Sequence, residues 1–477
     1  MTGPDIILVV LDTVRAQSLS LYGHDRPTTP FLEQLAGSSV VYDRAYAPSC
    51  WTAPSHATLF TGLEPRAHRV GGEQASLDSV AQPTLAERLS DAGYRTAGVS
   101  SNPWIGPAFG FERGFERFTC GWKLMQSGVD VASESITQGG QPVSEKLRMA
   151  LRGGPRTAFA TAPNYAFARW RRTGRFAPGR LASTLLRHRR ELESGQPFFG
   201  FLNLLDAHLP YIAPRSTRSL VGVPDGWQQV PQKAWPYVGG TQPMTEEDFE
   251  VLRRLYDAEI RYLDNVLRRF VERLDVTGRQ TLLVITSDHG ENIGEHRLMD
   301  HQFSLHDTLI RIPMLVRHPD GAGAGTRRDE LVGLADVHES LLRAAGTIAA
   351  GQALPGPFGG PRRAAIVSDY LRPQPPVSRL AERFPDGDFT RCDRTLRALV
   401  RDDGAKLIWA SNGAHEHYDL SSDPWELRSL YDSAASAPLI GELEAAFGAA
   451  GDDMPGAAPS STEDDEVRAA LESLGYL

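Results

Sequence analysis

Three short apolar runs, each followed within three residues by an acidic residue or histidine, constrain this chain more than any other feature. They are residues 6–11 (IILVVL), 198–205 (FFGFLNLL) and 281–285 (TLLVI). Runs of this length are typical of strands buried on both faces of a parallel sheet. Ligands of open α/β sheets bind outside the carboxyl ends of the strands. We therefore expect the polar residues after the three runs to converge on one site.

Helical patterns alternate with these runs. They cover residues 30–36, 84–93, 246–273 and 334–345. A chain of 477 residues is too long for one growing core, so a large domain with a smaller one is expected. The alternation predicts an α/β fold, in which helices sandwich a large mixed sheet.

The amino-acid composition changes near residue 347, where Gly, Pro and Ala become frequent. Short segments rich in β-forming residues follow at 397–400 and 406–409. We predict an α/β catalytic domain over residues 1–346 and a small C-terminal α+β subdomain over 347–477, with an antiparallel sheet and a helix. Residues 448–466 have the composition of a flexible connection, and 466–474 that of a closing helix.

One basic segment stands apart from the rest of the chain. Residues 146–190 contain twelve Lys or Arg and no Asp or Glu. The segment could be a solvated insertion, a lid that attracts an anionic substrate, or an arm that meets a macromolecule. The sequence leaves these three interpretations open.

Charge and cysteine content limit the partners and the compartment. The formal net charge of -9 makes nucleic acid an unlikely partner. No apolar stretch approaches 18 residues, so no membrane span is predicted. Three scattered cysteines and a start without a leader-like segment favour a cytoplasmic protein. The oligomeric state stays open.

The most specific local signal is the segment 49–62, which begins SCWTAPSH. Pro54 suits the first turn of a helix and Gly62 its C-terminal cap, so Thr52 is expected at the helix N-terminus. Backbone N–H groups and the positive end of the helix dipole favour an anionic group there. Threonine is also a common N-cap residue, and taken alone that ordinary role would explain Thr52.

Neighbours from the strand ends change this interpretation. Asp12 follows the first apolar run, and Asp288 and His289 follow the third. These three ligands would lie near Thr52 if the strand ends converge. Threonine is a poor nucleophile, and a divalent cation is one of the few means to activate its hydroxyl without a dedicated base. Strand-end capping and an ordinary turn are the competing explanations.

Several blocks of the chain, in this order, resemble landmarks of the sulfatase-like branch of the alkaline phosphatase superfamily. They are residues 9–23 (VVLDTVRAQSLSLYG), 28–32 (TTPFL), 49–62, 287–291 (SDHGE), 312–316 (IPMLV), 418–424 (YDLSSDP) and the terminal 474–477 (LGYL). The resemblance spans nearly the whole chain, and the basic segment is its least familiar part. It implies a large α/β domain and a smaller antiparallel C-terminal domain.

The resemblance also implies roles for single residues. Asp12, Asp288 and His289 match metal ligands, and Thr52 matches the nucleophile that also contacts the metal. His56 stands where many relatives have an arginine that supports the nucleophile, and His301 stands where lysine is common. His208 matches a histidine that contacts the transferred group or protonates the leaving oxygen. Asn102 lies near a stretch that supplies another substrate contact.

Thr52 is also the clearest departure from the family. True sulfatases carry cysteine or serine there, which a modifying enzyme converts to formylglycine, and threonine cannot become that aldehyde. Cys50 is two residues too early to replace it. The resemblance is then closer to the phosphoryl-transfer members, which use threonine.

We therefore predict a metal-dependent hydrolase that cleaves a phosphate mono- or diester, or a phosphonate ester, through a covalent Thr52 intermediate. Its substrate is a small anionic ester, and its cofactor is one divalent metal ion. Mn or Zn suits these ligands better than Ca or Mg. A second metal built from Asp206, His208, His301 and His306 is disfavoured by their spacing. Alternatives are a sulfate or sulfamate ester hydrolase with unmodified Thr52, and a catalytically silent relative that binds an anion or a partner.

Overall fold

The computed structural model describes residues 3–72, 76–121, 177–348 and 362–447, together with Val467 and Leu471. The basic segment up to residue 176, the connection 448–466 and most of the closing helix lie outside these residues. From residue 177 onward, the basic segment belongs to a helix, Ala177–Glu191.

A large eight-stranded sheet forms the centre of the fold, with the strand order β10-β2-β9-β6-β1-β5-β3-β4. Its strands are β1 (Asp5–Leu11), β2 (Val40–Tyr46), β3 (Arg95–Ser100), β4 (Arg117–Cys120), β5 (Phe198–Leu204), β6 (Thr281–Thr286), β9 (Arg311–Arg317) and β10 (Thr326–Gly333). A short ribbon pairs β7 (Asn292–Ile293) with β8 (Met299–Asp300). Among these eight strands, β9 alone runs against the others. The predicted large mixed sheet is confirmed.

Helices accompany the strands along the chain. Those before β9 are α1 (Pro30–Ala36), α2 (Thr52–Thr61), α3 (Pro65–His68), α4 (Leu85–Asp91), α5 (Ala177–Glu191), α6 (Arg215–Leu220), α7 (Ala234–Val238), α8 (Glu246–Asp275) and α9 (Asp307–Ile310). Those after β9 are α10 (Leu334–Ala344), α11 (Val377–Arg383) and α12 (Ala437–Phe447). The four predicted helices are confirmed as α1, α4, α8 and α10.

The three apolar runs lie side by side, with β1 between β5 and β6. Val10 pairs with Asn203 on one side and with Thr286 on the other, and both pairings are parallel. Parallel strands bring their carboxyl ends to one edge of the sheet. The segments that follow β1, β5 and β6 therefore emerge together.

The second sheet is antiparallel, with the order β11 (Ala365–Tyr370), β12 (Leu396–Arg401), β13 (Ala405–Ala410) and β14 (Glu416–Asp419). Successive residues of β12 face opposite sides, as the strand period requires. Ala398 and Val400 belong to the main core, whereas Leu399 packs with Leu439 and Leu443 of α12. The predicted small antiparallel sheet is confirmed, whereas the predicted closing helix at 466–474 lies mostly outside the described residues and the domain boundary at 346/347 stays a prediction.

Some elements carry weak sequence signals and were not predicted. Charged or small polar residues interrupt β2 (VVYDRAY) and β3 (RTAGVS), so neither resembles a continuous buried run. α12 buries only Leu439 and Leu443 among its described contacts with the small sheet.

Cys50, Cys120 and Cys392 are buried thiols without a disulfide. In the described part of the chain, no helix has the length and apolar character needed to cross a membrane.

A buried ion-pair network joins the two sheets. Lys406 of β13 is completely buried, and its Nζ lies 2.7 Å from Asp307 Oδ1 and 2.6 Å from Glu426 Oε1. Asp307 begins α9, which leads into β9 of the large sheet. Because a buried charge is tolerated only when it is paired, this lysine fixes how the small sheet sits on the large one.

Replacing Lys406 with methionine should destabilise the protein by about 3–5 kcal/mol, because two buried carboxylates lose their cation. Chemical denaturation would measure the loss. The exposed Arg190→Met is the control, and it should shift stability by no more than about 0.5 kcal/mol. Equal stability of Lys406→Met and Arg190→Met would contradict the assigned role of the network.

Candidate active site

Polar residues at the carboxyl ends of β1, β5 and β6 converge. The Asp12 N–H donates to the Leu204 carbonyl at 2.9 Å, and the Asn203 amide donates to Asp12 Oδ2 at 3.1 Å. Asp288 Oδ1 accepts the backbone N–H of Thr13 at 3.2 Å. The carboxylates of Asp12 and Asp288, completely buried, thus face the same space.

Thr52 is the first residue of α2, whose ten residues are all buried. Gly62 caps the other end with a φ of 73°, a left-handed conformation that favours glycine. The predicted helix is confirmed, with Thr52 at its N-terminus. Thr52 Oγ1 lies 3.2 Å from His289 Nε2, so the threonine hydroxyl and the strand-end residues meet.

Asn102 connects Thr52 with Asp12. Its Oδ1 accepts the Trp104 N–H at 3.0 Å, which fixes the orientation of the amide. Its Nδ2 donates to Asp12 Oδ2 at 2.9 Å and to Thr52 Oγ1 at 3.2 Å. The sequence prediction of a substrate contact for Asn102 is untested, but the side chain does lie in the site.

His289 presents one ring nitrogen to the site. Its Nδ1 donates to the Gly290 carbonyl at 2.9 Å, so Nε2 carries the lone pair that faces Thr52 and Asp288. Ser287 holds the loop, because its Oγ accepts the Val14 N–H at 3.1 Å. The same hydroxyl donates to the His289 carbonyl at 2.6 Å.

Burial dominates the electrostatics of the site. It raises the pKa of Asp12 to about 6, although hydrogen bonds from Asn203 and Asn102 oppose the change. Burial and the nearby Asp12 raise the pKa of Asp288 well above its usual range. Burial also lowers the pKa of His289 well below its usual range, with a smaller contribution from His301. Two carboxylates and a neutral imidazole thus face one another, and the charge of the nearby His301 opposes the rise in the pKa of both carboxylates.

These residues fit a divalent cation. Asp12 Oδ1 and Asp288 Oδ2 are buried, and neither oxygen has a hydrogen-bond partner within the described residues. One ligand atom each from Asp12, Asp288 and His289 lies within 4.8 Å of the others. Oxygen and imidazole donors of this kind suit Mn²⁺ or Zn²⁺.

His56 lies one turn along α2 from Thr52 and is completely buried. Its Nδ1 donates to the Thr52 carbonyl at 3.0 Å, and its Nε2 lies 3.5 Å from the Asn203 amide. Burial lowers the pKa of His56 to about 4, so the ring is neutral. These contacts hold the first turn of α2 against β5, while a contact with the transferred group stays a prediction.

His208 and His301 stand beside the site in a row with His289. The His301 ring stacks on His289 with 4.5 Å between centroids, and its edge contact with His208 spans 4.9 Å. His208 Nδ1 donates to the Leu209 carbonyl at 2.5 Å. The structure therefore brings both predicted histidines to the site, and their roles in catalysis stay predictions.

Other residues enter the site without having been predicted. Asn203 bonds Asp12, and its only sequence signal is one amide within an apolar strand. Glu291 and Asp300 face His301, although neither had been assigned a role. His306, considered for a second metal, lies elsewhere: its Nε2 is 2.8 Å from Glu416, and its ring stacks on His296.

Comparisons with known proteins agree with this geometry. The family model described as Sulfatase matches residues 4–347. Arylsulfatase K of Bos taurus is 23% identical, over 92% of this chain and 79% of the relative. The phosphonate monoester hydrolase of Agrobacterium radiobacter has a similar structure, with a TM-score of 0.67, 21% identity and coverage of 93% and 95%. Phosphonate monoester hydrolase SpPMH from Silicibacter pomeroyi gives a TM-score of 0.64, with 19% identity and coverage of 93% and 94%.

The family model and the mixed sheet identify an ester hydrolase of the alkaline phosphatase-like superfamily. Within that class, the chain belongs to the sulfatase family. The resemblance noted from the sequence blocks is thereby confirmed.

Proposed function

We propose that this protein hydrolyses phosphoric or phosphonic esters and that unmodified Thr52 is the nucleophile. The observation that carries the proposal is the environment of the Thr52 hydroxyl. It stands at the N-terminus of a buried helix, 3.2 Å from His289 Nε2 and 3.2 Å from Asn102 Nδ2. The residue type supports phosphoryl chemistry, because threonine cannot be converted to formylglycine.

Two further observations support this choice. Burial raises the pKa of the Cys50 thiol far above its usual range, so this cysteine does not supply a thiolate two residues before Thr52. Two of the similar solved structures are phosphonate monoester hydrolases, whose substrates contain phosphorus. The first observation favours Thr52 over Cys50 as the nucleophile, and the second favours phosphorus over sulfur as the attacked atom.

The first step forms a bond between Thr52 Oγ1 and phosphorus while the bond from phosphorus to the leaving oxygen breaks. Asn102 Nδ2 orients the threonine hydroxyl, and the N-terminus of α2 stabilises the charge of the phosphoryl oxygens. A divalent cation bound by Asp12, Asp288 and His289 would supply positive charge that favours release of the Thr52 hydroxyl proton to solvent. In the second step water attacks phosphorus and the bond between phosphorus and Thr52 Oγ1 breaks. The product leaves, and the Thr52 oxygen takes up a proton from solvent and becomes a hydroxyl again.

Protonation of the leaving oxygen falls to His208 or His301. Burial alone lowers the pKa of His301, but Asp300 and Glu291 raise it well above its usual range. His208 donates through Nδ1 to a backbone carbonyl, so its Nε2 is the nitrogen that can contact a substrate. One histidine gives a proton to the leaving oxygen in the first step, and a histidine accepts a proton from water in the second.

Replacing the histidine that protonates the leaving oxygen should slow the hydrolysis of alkyl esters by about 10²–10⁴-fold, because alkoxides leave poorly without a proton. Nitrophenolate leaves without much protonation, so the first step with nitrophenyl esters should slow by less than about 10-fold. We would measure both rates in single-turnover experiments for His208→Gln and His301→Gln. His306→Gln is the control, since Ser304 and Glu416 hold His306 outside the site. Equal losses for both leaving groups in both variants would contradict the assignment.

The proposal is tested by a matched set of esters of one phenol: a phosphodiester, a phosphomonoester, a phosphonate monoester and a sulfate. Turnover of a phosphorus ester by metal-loaded protein, lost in Thr52→Ala, is the expected result. Turnover of the sulfate alone would contradict the phosphoryl assignment. An absence of turnover across several metals would instead favour a catalytically silent, anion-binding protein.

A second candidate is a sulfuric ester hydrolase that uses unmodified Thr52. It is favoured by the arylsulfatase named among the relatives and by the shared tetrahedral geometry of sulfate and phosphate. The same ligands and the same threonine would serve this reaction. The phosphonate and sulfate members of the ester set distinguish the two candidates directly.

A further inference from the structure

The turn that follows β1 has a strained backbone. Thr13 is completely buried and has a φ of 62°, in the left-handed region that β-branched residues seldom adopt. Its Oγ1 donates to the Asp12 carbonyl at 2.7 Å, which keeps the side chain within the turn. Strain of this kind persists only where the surrounding structure maintains it, so other contacts must hold Thr13 in this conformation.

The strained turn carries one of two N–H groups that hold the Asp288 carboxylate. The Thr13 N–H donates to Asp288 Oδ1 at 3.2 Å, and the His289 N–H donates to the same oxygen at 2.9 Å. Asp288 Oδ2 lies 3.3 Å from His289 Nε2, and the described residues give it no hydrogen-bond partner. The orientation of the oxygen that is available to a cation therefore depends on the position of Thr13.

Tyr256 of α8 holds the turn from its other side. Its hydroxyl donates to the Thr13 carbonyl at 2.6 Å and accepts the Arg15 N–H at 3.0 Å. The residue is completely buried, and burial raises the pKa of the hydroxyl, so the hydroxyl keeps the proton that it donates. The Arg15 guanidinium lies 5.6 Å from the centroid of the Tyr256 ring. One hydroxyl thus bridges the two backbone groups that flank Val14.

We propose that Tyr256 is a positioning residue for the cation site, because it holds Thr13 in its strained conformation and thereby orients Asp288. The tyrosine acts through the backbone of Thr13, whose carbonyl accepts the Tyr256 hydroxyl and whose N–H donates to Asp288. The inference rests on the cation proposed above for Asp12, Asp288 and His289. The sequence gave Tyr256 no role, since it lies within a long amphipathic helix.

Replacing Tyr256 with phenylalanine removes both hydrogen bonds and keeps the ring, which lies 5.4 Å from the Tyr211 ring between centroids. Thr13 can then relax toward an ordinary conformation, and its N–H turns away from Asp288. Groups that orient metal ligands contribute about 10–100-fold to metal affinity. Because Tyr256 acts through one intervening residue, we expect the dissociation constant of the cation to rise by about 10-fold.

Tyr22→Phe is the matched control. The Tyr22 hydroxyl accepts the Met314 N–H at 2.9 Å and donates to the Tyr42 carbonyl at 3.0 Å, so it too bonds one N–H and one carbonyl. Tyr42 lies on β2 and Met314 on β9, and neither strand carries a proposed cation ligand. Both substitutions should lower the unfolding temperature in chelator, since each leaves backbone groups unpaired. Only Tyr256→Phe should weaken cation binding.

Calorimetric titration of the full chain with Mn²⁺ or Zn²⁺, whichever the unaltered protein binds more tightly, tests the proposal without substrate. Thermal unfolding with and without the cation is the second measurement, and it shows that each variant is folded. A higher dissociation constant for Tyr256→Phe, with that of Tyr22→Phe unchanged, is the expected result. Equal affinity of Tyr256→Phe and the unaltered protein would overturn the proposal, and so would equal losses in the two tyrosine variants.

Asp288→Asn separates this proposal from that of the cation site itself. If Asp288→Asn loses affinity and Tyr256→Phe does not, the cation site stands and the role of Tyr256 is rejected. If Asp288→Asn binds the cation as tightly as the unaltered protein, or if the unaltered protein binds none, the proposed cation site fails and the role of Tyr256 fails with it.

Discussion

Replacing Thr52 with alanine is expected to reduce kcat by at least ~10⁴-fold while the fold is retained. Covalent catalysis ends when its nucleophile is removed, and only binding and charge stabilisation remain. The Thr52 hydroxyl bonds His289 and Asn102, which lie outside α2, so its loss should leave the helix intact. Steady-state kinetics on the most active ester would measure the effect. Thr52→Ser keeps a hydroxyl and should keep part of the activity.

Thr58→Ala is the matched control for this prediction. Thr58 is buried on the same helix, and its hydroxyl bonds His68 Nε2 at 3.1 Å. Its loss should cost about 1–3 kcal/mol of stability and leave kcat nearly unchanged. Equal kcat values for Thr52→Ala and the unaltered protein would exclude Thr52 as the nucleophile.

The Asp288→Asn variant is expected to lose more than ~10²-fold in affinity for the activating cation, and its activity with it. Changes to residues that only support metal ligands already cost about 10–100-fold, so a direct ligand should cost more. Asparagine keeps the size of the side chain and an oxygen that can accept the Thr13 and His289 N–H groups. Metal titration followed by activity measurement gives the affinity.

In the metal-free protein, the Asp288→Asn change is expected to be neutral or stabilising rather than harmful. Burial and Asp12 raise the pKa of Asp288 well above its usual range, so its charge is unfavourable without a cation. In the presence of a chelator, Asp288→Asn should be at least as stable as the unaltered protein. With metal added, the unaltered protein should gain more stability than the variant. Thermal unfolding under both conditions measures this, and an equal gain would argue against Asp288 as a ligand.

The convergence of the site could be predicted because it depends on strand order and polarity alone. Residues 6–11, 198–205 and 281–285 each form a buried strand, and their neighbouring parallel pairing brings Asp12 and Asp288 together. The signal of the 49–62 segment was equally local, because Pro54 and Gly62 mark the two ends of α2. These patterns depend on residues that are close together in the sequence, and the structure contains the elements that they predict.

The rest of the site depends on contacts between distant parts of the chain. Asn203 is one polar residue in an apolar strand, and its bond to Asp12 spans 191 positions. The Asp300 carboxylate faces His301 Nδ1 while the Asp300 backbone adopts a left-handed conformation. No residue pattern in the sequence indicates that conformation. His306 was considered together with His301 for a second metal, but it bonds Glu416 of the small sheet and lies elsewhere. Such tertiary pairings decide the roles of these side chains.

The stereochemical course at phosphorus tests the central claim most directly. A chiral phosphorothioate diester would be hydrolysed in isotopically labelled water, and the configuration of the product determined. Attack by Thr52 followed by attack by water inverts phosphorus twice, so we predict net retention. Net inversion would show that water attacks the substrate directly, and it would contradict a covalent Thr52 intermediate.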